Sequence, residues 1–97
     1  MEGKPKQILI ADDEQDILEI ISYNLTKEGY EVYTAKDGNE AIEKAKQIHP
    51  DLIILDIMMP KKDGFTLAKE IKKVQVGSQV WLIFAKNDAE LEVVKID

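Results

Sequence analysis

The sequence predicts an α/β domain built on a doubly wound parallel sheet. Two observations carry that prediction. Short apolar or β-rich segments alternate with amphipathic helical segments in the order βαβαβαβα. Two of the strand segments, at residues 7–11 and 52–55, are apolar at every position but the first of the former, "QILIA" and "LIIL". Strands buried on both faces read this way, whereas strands with one wet face alternate. Crossovers between such strands should be right-handed.

The elements follow in chain order. "QILIA" (7–11) is the first strand and runs into Asp12-Asp13. In "EQDILEIISYNLTKEG", Ile17, Leu18, Ile21 and Leu25 fall on one helical face, with Ile20 beside it. Lys27 and Gly29 close that helix, a cation in the last turn and a glycine beyond it. "YEVYTA" (30–35) is rich in β-formers and alternates, so it reads as the second strand. Asp37 and Glu40 make a capping-box pattern ahead of Ala41, Ile42, Ala45 and Ile48, and Pro50 stops the helix. His49, next to Pro50, reads as a helix-terminal residue. "DLIILD" (51–56) is the third strand. "GFTLAKEIKKV" (64–74) is the third helix, with Phe65, Ala68 and Ile71 inward, and "QVWLIFA" (79–85) is the fourth strand. "NDAELEVVKI" (87–96) is expected to start a fourth helix, with Asn87 and Glu90 as a second capping-box pair.

Composition excludes several functions. The 97 residues allow one domain, read here as 1–97. The formal net charge is -6 and every basic residue is a lysine, which argues against direct nucleic-acid binding. No apolar run approaches the roughly 18 residues of a membrane span, and "MEGKPKQ" lacks the apolar stretch of a signal peptide. Cysteine is absent, so disulfides and thiolate sites are excluded, in keeping with a cytoplasmic location.

The chemistry lies in the carboxylates. In a parallel α/β sheet the active region lies at the carboxyl ends of the strands. Asp12 and Asp13 follow the first strand and Asp56 ends the third. If those strands are neighbours, three carboxylates meet on one rim. Their mutual repulsion would raise their pKa values, and a divalent cation relieves it. Mg²⁺ suits such a set, because it prefers hard oxygen ligands and retains several waters. Asp56, on the tip of a rigid strand, is the candidate nucleophile towards phosphorus. Simpler roles compete: Asp12 or Asp13 as cap of the first helix, and Asp56 as a solvated loop residue.

At this point the sequence resembles a known family. "ILIADDEQDI" followed by "GYEVYTAKDGNEAIEKAKQIHPDLIILDIMMPKKDG" looks like the receiver domain of two-component response regulators, from about residue 7 to about residue 73. The resemblance implies a flavodoxin-like (CheY-like) fold with strand order 2-1-3-4, followed by a fifth parallel strand and helix that this chain lacks. It implies that Asp56 accepts a phosphoryl group from a sensor histidine kinase and that an output domain or downstream protein reads the result. It implies Mg²⁺ held by Asp13, Asp56 and the backbone carbonyl of Met58, with Asp12 helping through water. An aspartate nucleophile also serves phosphohydrolases of the haloacid dehalogenase type. That family carries a second Asp where this chain has Met58, which argues against it.

The later part departs from the family pattern. Phe84 falls where the family carries a Ser or Thr hydroxyl, and neither Lys86 nor Lys95 matches the family's conserved lysine position. Two expectations follow. One is a degenerate or truncated receiver that serves only as an interaction or dimerisation module. The other is a homodimer, segment-swapped, that covers an exposed edge of the fourth strand.

Overall fold

Strand β1 (Gln7–Ala11) lies at the centre of the parallel part of the sheet, between β2 (Glu31–Ala35) and β3 (Leu52–Asp56). That position explains why Ile8, Leu9, Ile10 and Ala11 are all buried. The computed structural model describes residues 5–56, 64–74, 79–87 and 90–96, and of these the side chains of 5–56, 66–73 and 79–81. The remaining strands are β4 (Gln79–Asn87) and β5 (Glu90–Ile96), and the sheet order is β2-β1-β3-β4-β5. The first four strands are mutually parallel, as the alternation of elements predicts.

Side chains alternate across each strand, so one apolar run fills two cores. Leu9, Ala11, Ala35, Ile53, Leu55 and Val80 build one core with Ala41 and Ala45 of helix α2 (Gly38–Ile48) and Leu67, Ala68 and Ile71 of helix α3 (Gly64–Val74). Ile8 and Ile10 build the other with Leu18 of helix α1 (Gln15–Lys27), flanked by Ile21, Leu25, Val32, Leu52 and Ile54. Burying one such aliphatic side chain stabilises the fold by about 1.5–3 kcal/mol. Ile20, expected beside that helical face, is 60% exposed. Phe65 was expected inward, and its side chain lies outside the description.

Local signals set the helix ends. Asp37 caps α2 by accepting the N–H of Glu40 at 2.9 Å. Helix α1 closes with paired bonds, Tyr30 N–H to Leu25 C=O and Gly29 N–H to Thr26 C=O. That Schellman closure needs a left-handed residue, which Gly29 supplies at φ 99°. His49 ends α2 in the left-handed region, at φ 55° and ψ 59°.

The expected fourth helix over 87–96 is not formed. The segment turns back as β5 and pairs antiparallel with β4, from Val80↔Ile96 to Asn87↔Glu90. Asn87 and Glu90, expected to cap a helix, face each other across a connection of two residues. Two physical reasons favour the strand. Val93, Val94 and Ile96 are β-branched, a type that loses side-chain freedom in a helix and fits a pleated sheet. A β4 edge left open would also expose a row of backbone groups. The fifth strand is thus present but antiparallel, where the resemblance implies a parallel one and the sequence was expected to lack it. It fills the β4 edge that motivated a segment-swapped dimer. Among the described residues no helix is long and apolar enough to cross a membrane.

Candidate functional site

The rim at the carboxyl ends of β1 and β3 gathers the acidic residues. β1 and β3 are paired in register, with Ala11 opposite Leu55. The next pair along is Asp12 and Asp56. Asp12 continues the β1–β2 ladder one step beyond the strand, its N–H donating to Ala35 C=O at 3.0 Å. Asp12 and Asp56 share the parity of Ile8, Ile10 and Ile54, so strand alternation turns both towards the α1 side of the sheet.

The outcome is a compact acidic cluster. One carboxylate oxygen from each of Asp12, Asp13 and Asp56 lies within 4.8 Å of the other two. Asp12 is 4% exposed, Asp56 is half-buried and Asp13 is exposed. The cluster therefore has a fixed, dry inner side and a wet outer side.

Asp12 has a second local role. Its Oδ1 accepts the N–H of Glu14 at 2.9 Å, which bends the chain from β1 into α1. The N-cap position itself belongs to Glu14, whose side chain makes no capping bond. The cap reading of Asp12 and Asp13 is thus replaced by a turn made by Asp12 alone.

Burial pushes the Asp12 carboxyl up to about 6 from 3.8. The Glu14 N–H opposes that rise, and the charges of Asp56, Asp13 and Glu14 add to it. Three carboxylates held this close have too much negative charge for a partly dry rim, and all their donors are hard oxygens. Such a donor set fits a divalent oxygen-seeking cation.

The predicted residues Asp12, Asp13 and Asp56 are thus brought together. Met58 lies outside the described residues. Phe84 is in β4, with its backbone opposite Glu92, and its side chain and those of Lys86 and Lys95 lie outside the description. Glu40, expected only as a capping-box partner, and Lys44, not singled out in the sequence, also make polar contacts at the sheet edge. Their spacing, i and i+4, was the available signal.

A family model described as the response regulator receiver domain matches residues 8–97. The chain belongs to this family. It is 42% identical over 83 residues to the alkaline phosphatase synthesis transcriptional regulatory protein PhoP of Bacillus subtilis (strain 168). That match covers 86% of this chain and 35% of the relative, so the chain spans about a third of that relative's length. Among solved structures it is similar to the response regulator TrrA from Thermotoga maritima in complex with Mg²⁺-BeF, at 43% identity and TM-score 0.74. The match covers 77% of this chain and 65% of that one. TrrA in complex with the histidine kinase ThkA matches at 41% identity and TM-score 0.78, covering 84% and 71% of the two chains. The family match extends beyond residue 73, where the resemblance in the sequence faded, to residue 97.

Proposed function

We propose that this receiver is a phosphoacceptor signalling module in which Asp56 takes a phosphoryl group from the histidine of a sensor kinase. The observation that carries the reading is the cluster itself, three carboxylate oxygens within 4.8 Å of one another at the mouth of two adjacent parallel strands. The relatives support it, since TrrA was solved both with Mg²⁺-BeF and with a histidine kinase. Mg²⁺ would be held by Asp13, Asp56 and the Met58 carbonyl, with Asp12 helping through water. When bound, the cation neutralises charge on the phosphoryl oxygens.

The remaining roles fall to the chain. A carboxylate oxygen of Asp56 bonds to phosphorus, the P–N bond to the donor imidazole breaks, and its electron pair stays on the imidazole nitrogen. The β1–β3 register holds Asp56 in line with its neighbours and removes the cost of orienting it. Asp12, buried beneath, supplies negative charge that favours a bound cation. The product acyl phosphate carries about -1.5 to -2 charges, a change that an output domain or downstream protein would read. The protein acts at most on itself, and a turnover enzyme's substrate cycle is not implied.

A second reading has its own support. Phe84 brings no hydroxyl, and the segment after β4 folds back as an antiparallel strand. Both favour an interaction module without phosphorylation-dependent switching. Intact-mass measurement after incubation with acetyl phosphate, with and without Mg²⁺, separates the two. The phosphoacceptor reading expects one Mg²⁺-dependent phosphoryl adduct, absent in Asp56→Asn. No adduct on a folded protein would favour the interaction module.

A further inference from the structure

Side chains of α2 cover part of the β2 edge of the sheet. Glu31 N–H donates to Lys6 C=O, and Asp12 N–H donates to Ala35 C=O. Odd-numbered residues of β2 therefore turn their backbone groups towards β1. Val32 and Thr34 turn theirs outward, as does Lys36 just past the strand. Two of these outward groups are occupied. Lys44 Nζ donates to Thr34 C=O, and Glu40 Oε1 accepts the Lys36 N–H at 2.7 Å. Glu40 Oε2 and Lys44 Nζ are themselves paired at 3.6 Å.

This is the pattern a neighbouring strand would make. In an antiparallel ladder centred on Tyr33, Val32 of a second β2 would donate its N–H to Thr34 C=O, and the C=O of Tyr30 of that strand would accept from Lys36 N–H. The Lys44 ammonium stands where that N–H would be, and the Glu40 carboxylate stands where that C=O would be. An open edge with β-branched residues and no proline invites strand addition. Val32 and Thr34 are β-branched, and β2 contains no proline.

We propose that Glu40 and Lys44 form a plug over the β2 edge, and that the strand it excludes is β2 of a second copy of this chain. The second copy is the fitting occupant because an antiparallel pair about a two-fold axis at Tyr33 sets Thr34 against Val32 of the second copy, and both residues turn their backbone groups outward. The two sheets would then run on as one. Pairing would have to displace two plugs, one in each copy, so their effects on association add. Its side chains are 34% and 36% exposed, so each plug is a weak, solvent-screened contact.

The test is Glu40→Ala/Lys44→Ala, which keeps good helix formers in α2. Sedimentation equilibrium and amide hydrogen exchange are measured over a range of protein concentrations. The double variant should self-associate about tenfold more tightly than the wild type. The Val32 and Thr34 amides should become protected as concentration rises. A folded double variant that associates no more than the wild type overturns the plug. So does a wild type that already shows concentration-dependent protection at Val32. If the double variant does not fold, Lys44→Met frees Thr34 C=O while leaving the Asp37–Glu40 cap, and the same outcomes decide. Asp37→Ala is the control, because it loosens α2 without removing either plug residue. Equal association in that variant would assign the effect to general loosening and overturn the proposal.

Discussion

Replacing Asp12 by Asn should stabilise the metal-free protein, and by an amount that depends on pH. The Asp12 carboxyl titrates near 3.8 when unfolded and at about 6 in the folded chain, chiefly because it is buried. The folded state therefore binds this proton more tightly. Below pH 3.8 the carboxyl is protonated in both states and costs nothing. As pH rises through 3.8 towards 6 the unfolded chain ionises first, and stability is lost across that window. Above it the full cost applies, about 2 units at about 1.4 kcal/mol each, or about 3 kcal/mol. Asparagine keeps the acceptor for the Glu14 N–H and removes the charge. Urea unfolding in EDTA at pH 7.5 should show a gain of up to about 3 kcal/mol, shrinking towards zero near pH 4. In a domain this size about 1 kcal/mol corresponds to about 4–8 °C in Tm. Saturating Mg²⁺ should stabilise the wild type more than the variant, because a ligand that binds only the folded state adds RT ln(1 + [L]/Kd). A gain independent of pH, or a loss at pH 7.5, would refute the reasoning that burial of this charge strains the apo site.

Three further outcomes follow from the packing and the helix ends. Gly29→Ala should cost about 1–2 kcal/mol by chemical denaturation, a purely conformational penalty at φ 99°, because an added Cβ meets nothing within 4 Å. Asp37→Ala should cost about 1 kcal/mol through loss of the α2 cap, with Asp37→Asn recovering most of it in the same assay. Leu55→Ala, at a fully buried position directly behind Asp56, should cost about 2–5 kcal/mol and lower Mg²⁺ affinity, read by calorimetry, by loosening the site's mount.

The parallel half of the molecule was legible because its signals are local and redundant. "QILIA" and "LIIL" could be buried strands on pattern alone, and Asp37 marked a helix start that its bond from the Glu40 N–H bears out, while the Glu40 side chain reaches one residue further back, to the Lys36 N–H. The acidic cluster was legible because strand ends in such a sheet point to one rim. Its depth was not: nothing in "ADDE" distinguishes the buried Asp12 from the exposed Asp13, since that depends on the ladder bond to Ala35 and the turn to Glu14. The segment 87–96 misled because Asn87 and Glu90 satisfy a capping-box spacing as readily as they face each other across a hairpin. The long-range pairing with β4 decided between the two, and local propensity carries no record of it. Glu40 was read only as a capping-box partner and Lys44 was not singled out, because their contacts with Lys36, just past β2, and with Thr34 of β2 depend on how α2 packs on the sheet edge.

The central claim is that Asp56 is the phosphoacceptor. Borohydride reduction of the acetyl phosphate-treated protein converts an aspartyl phosphate to homoserine, and peptide mapping then locates it. Homoserine is expected at position 56, dependent on Mg²⁺, with Asp12 and Asp13 unchanged. Homoserine at Asp12 or Asp13, with an intact Asp56, would contradict it.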